Sequence, residues 1–211
     1  MESANREGIV SLWPTLFLAR EVPGSEPANA ALESVILDLD QADEQVTTEY
    51  RSQNIFEIDH PALAWLKQCV NKTVIDYLSA QQLDYNVEWT LQAWANVNRR
   101  GDYHTLHNHP HSYLSGTYYV MVPQQPVSRV QRNDLNPAAI SFFDPRPQAN
   151  MTAIAKDAQV DPEHRVLPKA GMILLWPSFL HHCVHPNFSE EERLSISFNV
   201  ILKQPGAYLP T

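Results

Sequence analysis

Residues 107–122 read HNHPHSYLSGTYYVMV. From Tyr113 to Val122 the run is rich in tyrosine, valine and threonine, which suit a pleated, half-buried strand. Just before it stands a His-x-His pair, His107 and His109. In an extended backbone residues i and i+2 face the same side, so both imidazoles can converge on one ion. Two ligands hold a metal weakly, so a third must come from another strand.

Four histidines fall within residues 104–111 (His104, His107, His109 and His111), and a second cluster, His181, His182 and His185, lies downstream. That cluster follows Met172–Trp176, a continuous apolar run of the kind that forms a strand buried on both faces. A pair on one strand joined by one histidine from a distant strand puts three ligands on one side of a metal. The other side stays open for substrate, cosubstrate or oxygen, as at redox-active non-haem iron.

Further out, the β pattern continues. Val87–Val97 places Trp89, Leu91, Ala93 and Ala95 on one parity. Ala139–Phe143 is short and apolar. Leu194–Leu202 sets Ser195, Ser197 and Asn199 against Leu194, Ile196, Phe198 and Val200. Upstream, Ile9–Val22 reads as a strand pair or an edge strand, and Glu26–Leu39 as a short helix. Over Pro61–Gln82, Leu63, Leu66, Val70, Val74 and Leu78 recur at helical spacing. Asp59 is the candidate cap there, and Pro61 suits a first turn. Gln41–Phe56 and 124–138 read as loops that bear on substrate choice. Many short strands after a helical N-terminal part predict a mainly β fold with helices on one side. No repeat or linker divides the chain, so one domain is expected over 1–211: a strand and helical part at about 1–86 and a β core at about 87–203.

The formal net charge of -9 repels phosphate backbones, and the densest basic pair, Arg99–Arg100, makes no patch, so nucleic acid is not an expected partner. Two cysteines with no pairing signature suit a reduced, intracellular chain. No stretch approaches the roughly 20 apolar residues of a membrane span, and no signal peptide is evident, so a cytoplasmic location is the expectation. If the chain self-associates, a twofold homodimer is the expected form.

Three ordered blocks resemble a bacterial and phage group of 2-oxoglutarate/iron(II) oxygenases. They are His107–Val120, Gly171–Asn187 (GMILLWPSFLHHCVHPN) and Glu191–Asn199 (EERLSISFN). The likeness spans about Trp94 to Leu202. It implies a double-stranded β-helix, or jelly roll, and an iron(II) site of His107, His109 and His182. Within the second cluster, the implied ligand is the histidine before x-Val-x-Pro-Asn. The resemblance further implies a basic residue about ten positions on that binds the far carboxylate of the cosubstrate 2-oxoglutarate. Arg193, eleven residues after His182, fits and opens an Arg-x-Ser pattern with Ser195. A guanidinium presents a planar fork that matches a carboxylate, and Ser195 shares its strand face.

Asn96 and Asn98 share a parity on the preceding strand, with Asn96 a candidate for cosubstrate contact. Tyr118, or its neighbour Tyr119, is the candidate phenol donor. No catalytic residue beyond the metal ligands is expected. The wider superfamily uses His-x-Asp where this chain has His109, which raises the site's net charge by one and makes zinc thinkable. The expected activity is an iron(II)- and 2-oxoglutarate-dependent dioxygenase hydroxylating a small-molecule or peptide substrate. Alternatives sharing the histidines are a cupin-like metalloenzyme that does not use 2-oxoglutarate, which has no need of Arg193, and a non-catalytic metal-binding module.

Overall fold

A computed structural model describes residues 13–42, 54–81, 87–125, 136–146, 154, 157 and 160–203. Along them run β1 (Leu18–Glu21), α1 (Ser25–Ala42), a 3-10 turn (Ile55–Glu57), α2 (Pro61–Ala80), β2 (Glu88–Asn98) and β3 (His104–His107). There follow β4 (Leu114–Met121), β5 (Ile140–Phe143), β6 (Glu163–Val166), β7 (Met172–Pro177), β8 (His182–Val184) and β9 (Arg193–Lys203). Of the two loops read from the sequence, residues 43–53 and 126–135 lie outside the described residues, as do 1–12 of the opening segment.

The strands form two antiparallel sheets, ordered β1-β7-β4-β9-β2 and β3-β8-β5-β6. Helices α1 and α2 cover the outer face of the five-stranded sheet. Period-two alternation explains the division. Leu194, Ile196, Phe198 and Val200 of β9, with Leu91, Ala93, Ala95 and Val97 of β2, join Leu32, Ile36, Leu63, Leu66, Val70 and Val74 of the helices in one core. A smaller cluster of Tyr119, Phe142, Leu174, Trp176 and Leu180 fills the space between the sheets. This is a jelly roll with helices on one side.

Helix α2 is capped by His60, one residue after the expected Asp59. The His60 Nδ1 accepts the Ala62 N–H at 3.2 Å, satisfying one of the helix's free donors. The outer edge of β2 is closed by Asn54, which donates to the Leu91 carbonyl at 2.8 Å and accepts the Ala93 N–H at 3.0 Å. Both cysteines are free thiols. No described helix is long and apolar enough to cross a membrane.

Candidate metal centre and cosubstrate pocket

Between the sheets lies a cavity of about 1170 Å³ whose walls include His107, His109, His182, Arg193, Asn96 and Ser195. The even-numbered face of β2 and the odd-numbered face of β9 form its floor, because the opposite parities are committed to the helical layer.

His107 ends β3 and pairs in register with His182, which opens β8. Their ring centroids are 4.2 Å apart. His109 lies past the end of β3, so the expected single-strand geometry covers only His107. The chain bends there, and the His109 N–H is held by the Ser178 carbonyl at 3.0 Å, tying the bend to the turn after β7. The rings still converge: His109 stands 5.3 Å from His107 and 5.1 Å from His182, centroid to centroid. One ring nitrogen from each of the three lies within 4.8 Å of the others.

The remaining nitrogens are engaged. The Nδ1 of His107 meets the Thr105 carbonyl at 2.6 Å, that of His182 the Leu180 carbonyl at 3.0 Å, and that of His109 the Asn199 Oδ1 at 2.7 Å. All three partners accept only, so each Nδ1 carries the proton and each Nε2 lone pair is left for an ion. Burial pushes the His182 pKa down to about 3, helped by His107, and lowers that of His109 against the opposing Asn199 bond. Both rings are therefore neutral near pH 7, the form that ligates.

At the far end Arg193, 2% exposed, donates to the Ala138 carbonyl at 3.2 Å and to Asn98 Oδ1 at 3.0 Å. Its Nε–H has no partner, and among the described residues no carboxylate pairs with it. Burial lowers its pKa, so the cation is held at a cost that an incoming anion relieves. Asn96 donates to Ser197 Oγ at 2.9 Å and Ser195 Oγ at 3.4 Å, while its Oδ1 is buried without a partner, as is the indole N–H of Trp176. Buried orphan groups of this kind are rare, and among the described residues three of the four belong to side chains of the cavity wall. They fit a ligand that carries both polar and charged atoms.

Tyr118 is a correction. It shares the parity of Leu114 and Val120, so it turns to the helical layer, where its hydroxyl donates to Asn29 Oδ1 at 2.5 Å. Tyr119, on the cavity parity and opposite Ser195 across the β4–β9 ladder, lines the pocket in its place. Complete burial raises its phenol to about 12, with Arg193 opposing, so it stays a donor.

Two residues escaped the sequence reading. Trp94 stands 5.7 Å from the His109 ring. Asn199 supports His109. Only parity with Asn96 and Ser195 pointed to them, and parity names a face, not a partner. His104, one of the first histidine cluster, lines the cavity, and its Nε2 meets Asn98 Nδ2 at 3.1 Å, so it belongs to the Arg193 network.

A jelly roll with three inward imidazoles and a buried guanidinium across the same cavity defines the class of non-haem metal oxygenases. The family profile of 2OG-Fe(II) oxygenases matches residues 92–199, and the chain belongs to that family. It is thus an enzyme that works with iron(II) and 2-oxoglutarate. Among solved structures, the chain is similar to a Pseudomonas putida prolyl-4-hydroxylase at 17% identity and a TM-score of 0.61, covering 89% of this chain and 88% of that one. A Trichoplax adhaerens prolyl hydroxylase, in complex with a hypoxia inducible factor peptide fragment, gives 15% identity and a TM-score of 0.56 over 88% and 83% of the chains. HygX from Streptomyces hygroscopicus, with nickel and 2-oxoglutarate bound, gives 14% and 0.54 over 88% and 82%. At these identities the likeness concerns the fold. No curated protein matches the chain.

Proposed function

We propose that His107, His109 and His182 hold the iron(II), and that Arg193 anchors the 5-carboxylate of 2-oxoglutarate with Ser195 and Tyr119 beside it. The observation that carries this is the placement of a buried guanidinium, unpaired with any described carboxylate, in the same cavity as three convergent Nε2 atoms. When bound, iron(II) supplies the coupling of oxygen reduction and cosubstrate decarboxylation to oxidation of a substrate C–H bond.

The protein's own residues do the rest. Arg193, held by Asn98 Oδ1, fixes the cosubstrate's tail by a charge-assisted bond in a place where water competes little. Trp94, Trp176 and Phe142 wall the histidines and keep the site dry. The three Nδ1 acceptors hold the rings in one tautomer. The substrate enters at the end remote from Arg193, past Gln92, Trp94 and His111. His111 has a positive φ of 70°, a backbone uncommon outside glycine that histidine adopts more readily than most, at the pocket rim. The substrate is a small molecule or a peptide, and hydroxylation is the expected outcome.

Succinate formation from 2-oxoglutarate by the iron-loaded protein under air tests the activity, and iron content tests the ligands. His182→Ala is expected to lose stoichiometric iron after gel filtration. Full retention of iron in that variant removes His182 from the ligand set.

A further inference from the structure

Among the three inward histidines, only His109 has a side chain behind it. His107 and His182 are steadied by backbone carbonyls two residues away, which no substitution removes. His109 depends on Asn199 Oδ1, 90 positions distant in sequence, at 2.7 Å. That oxygen has a second partner. The Ser115 hydroxyl, fully buried on β4 directly across the ladder from Asn199, donates to it at 2.9 Å.

Asparagine offers either an oxygen or an NH2 to a neighbour, and the two choices have opposite consequences here. With the oxygen toward the ring, His109 Nδ1 is protonated and Nε2 has a free lone pair. With the NH2 toward the ring, Nδ1 becomes the acceptor, Nε2 carries the proton, and His109 cannot ligate. In the structure the oxygen faces the ring, and the Ser115 hydroxyl donates to that same oxygen.

We infer that Asn199 is a positioning residue that selects the metal-binding tautomer of His109. The inference rests on the three-histidine reading above. It also concerns charge. The ligand set is wholly neutral, and position 199 is where a negative charge can be added behind a ligand without touching the metal. Asn199→Asp keeps the acceptor oxygen and creates the carboxylate–imidazole–metal relay that strengthens ligand basicity. Asn199→Leu keeps the volume and removes the acceptor.

The test titrates cobalt(II) alone into the metal-free protein and follows its visible absorption, which reports coordination geometry, beside the melting temperature of each metal-free variant. Asn199→Leu is expected to bind roughly 10- to 100-fold more weakly with an altered spectrum, and Asn199→Asp to bind at least as tightly as wild type. Wild-type affinity and spectrum in Asn199→Leu overturn the inference, as does an Asn199→Asp that behaves like Asn199→Leu. A purely structural residue lowers the metal-free melting temperature and leaves cobalt affinity unmoved. If Asn199→Leu does not fold, Asn199→Ala takes its place, since it too removes the acceptor behind His109. Weaker cobalt binding there supports the inference, and unchanged binding overturns it. Failure of the wild-type protein to bind cobalt refutes the three-histidine site itself.

Discussion

Gly116 stands opposite Phe198 across the β4–β9 ladder, and a Cβ placed on it would collide with the Phe198 ring and the Leu174 carbonyl. Neighbouring chain segments thus approach closely at Gly116 without a bulge. The ladder is regular there, and its irregularity falls between Tyr119 and Met121. The glycine makes room for an aromatic ring that covers its bare backbone. Gly116→Ala is therefore an overpacking change expected to cost about 1–3 kcal/mol. A melting curve checks it, and an unchanged melting temperature contradicts the account of the contact. Trp176 illustrates the other limit of residue-scale reading. Its apolar run identified a buried strand, yet nothing in the run shows that its N–H lacks a partner beside the cavity.

At the scale of elements, β1 is bound to α2 by Arg20, which donates to Asp76 Oδ2 and to Thr73 Oγ1, both at 2.6 Å. The Arg20 hydrogen bond holds the Asp76 carboxyl below the usual range, with Lys72 adding to it. A carboxyl with a depressed folded-state pKa stabilises the protein above its unfolded value, and that contribution is lost as pH falls through the folded value. Asp76→Asn is expected to lower stability at neutral pH by about 1 kcal/mol or less, since the pair is partly exposed. Once the pH falls below the depressed folded-state value of Asp76, the variant and wild type should converge. Melting temperatures measured across that range check it, and a gap that widens on acidification contradicts it. The same scale shows what was legible in the sequence. Strand existence, the two faces of β2 and β9, and the stripe of α2 follow from periodicity, because burial on one side of a sheet or helix imposes it. The bend that takes His109 off β3 depends on the Ser178 carbonyl, far along the chain, and no local pattern encodes it. Tyr118 and Tyr119 are adjacent residues of one type, so choosing between them required knowing which face the helices cover.

In the whole molecule, the site is where the two sheets diverge. The helical layer commits one face of the large sheet to the core, which leaves the polar parity of β9, from Arg193 to Asn199, facing the small sheet and its histidines. The fold persists at 14–17% identity to the solved structures named above, so packing rules more than particular residues carry it. In the function proposed above, three imidazoles and one guanidinium carry the chemistry, and their order along the chain made them legible through resemblance. On the same proposal, substrate choice belongs to the rim near Gln92, Trp94 and His111, where the sequence has no readable signature. The central claim is that an anionic cosubstrate bridges the metal end of the cavity and Arg193. Calorimetric titration of 2-oxoglutarate into the iron(II)-loaded protein without oxygen tests it directly, beside Arg193→Leu. The account predicts one binding event per chain in wild type and at least about 30-fold weaker binding in the variant, the equivalent of roughly 2 kcal/mol or more for losing one partner of a buried charge pair. Equal affinity in the two proteins, with iron bound in both, would contradict it.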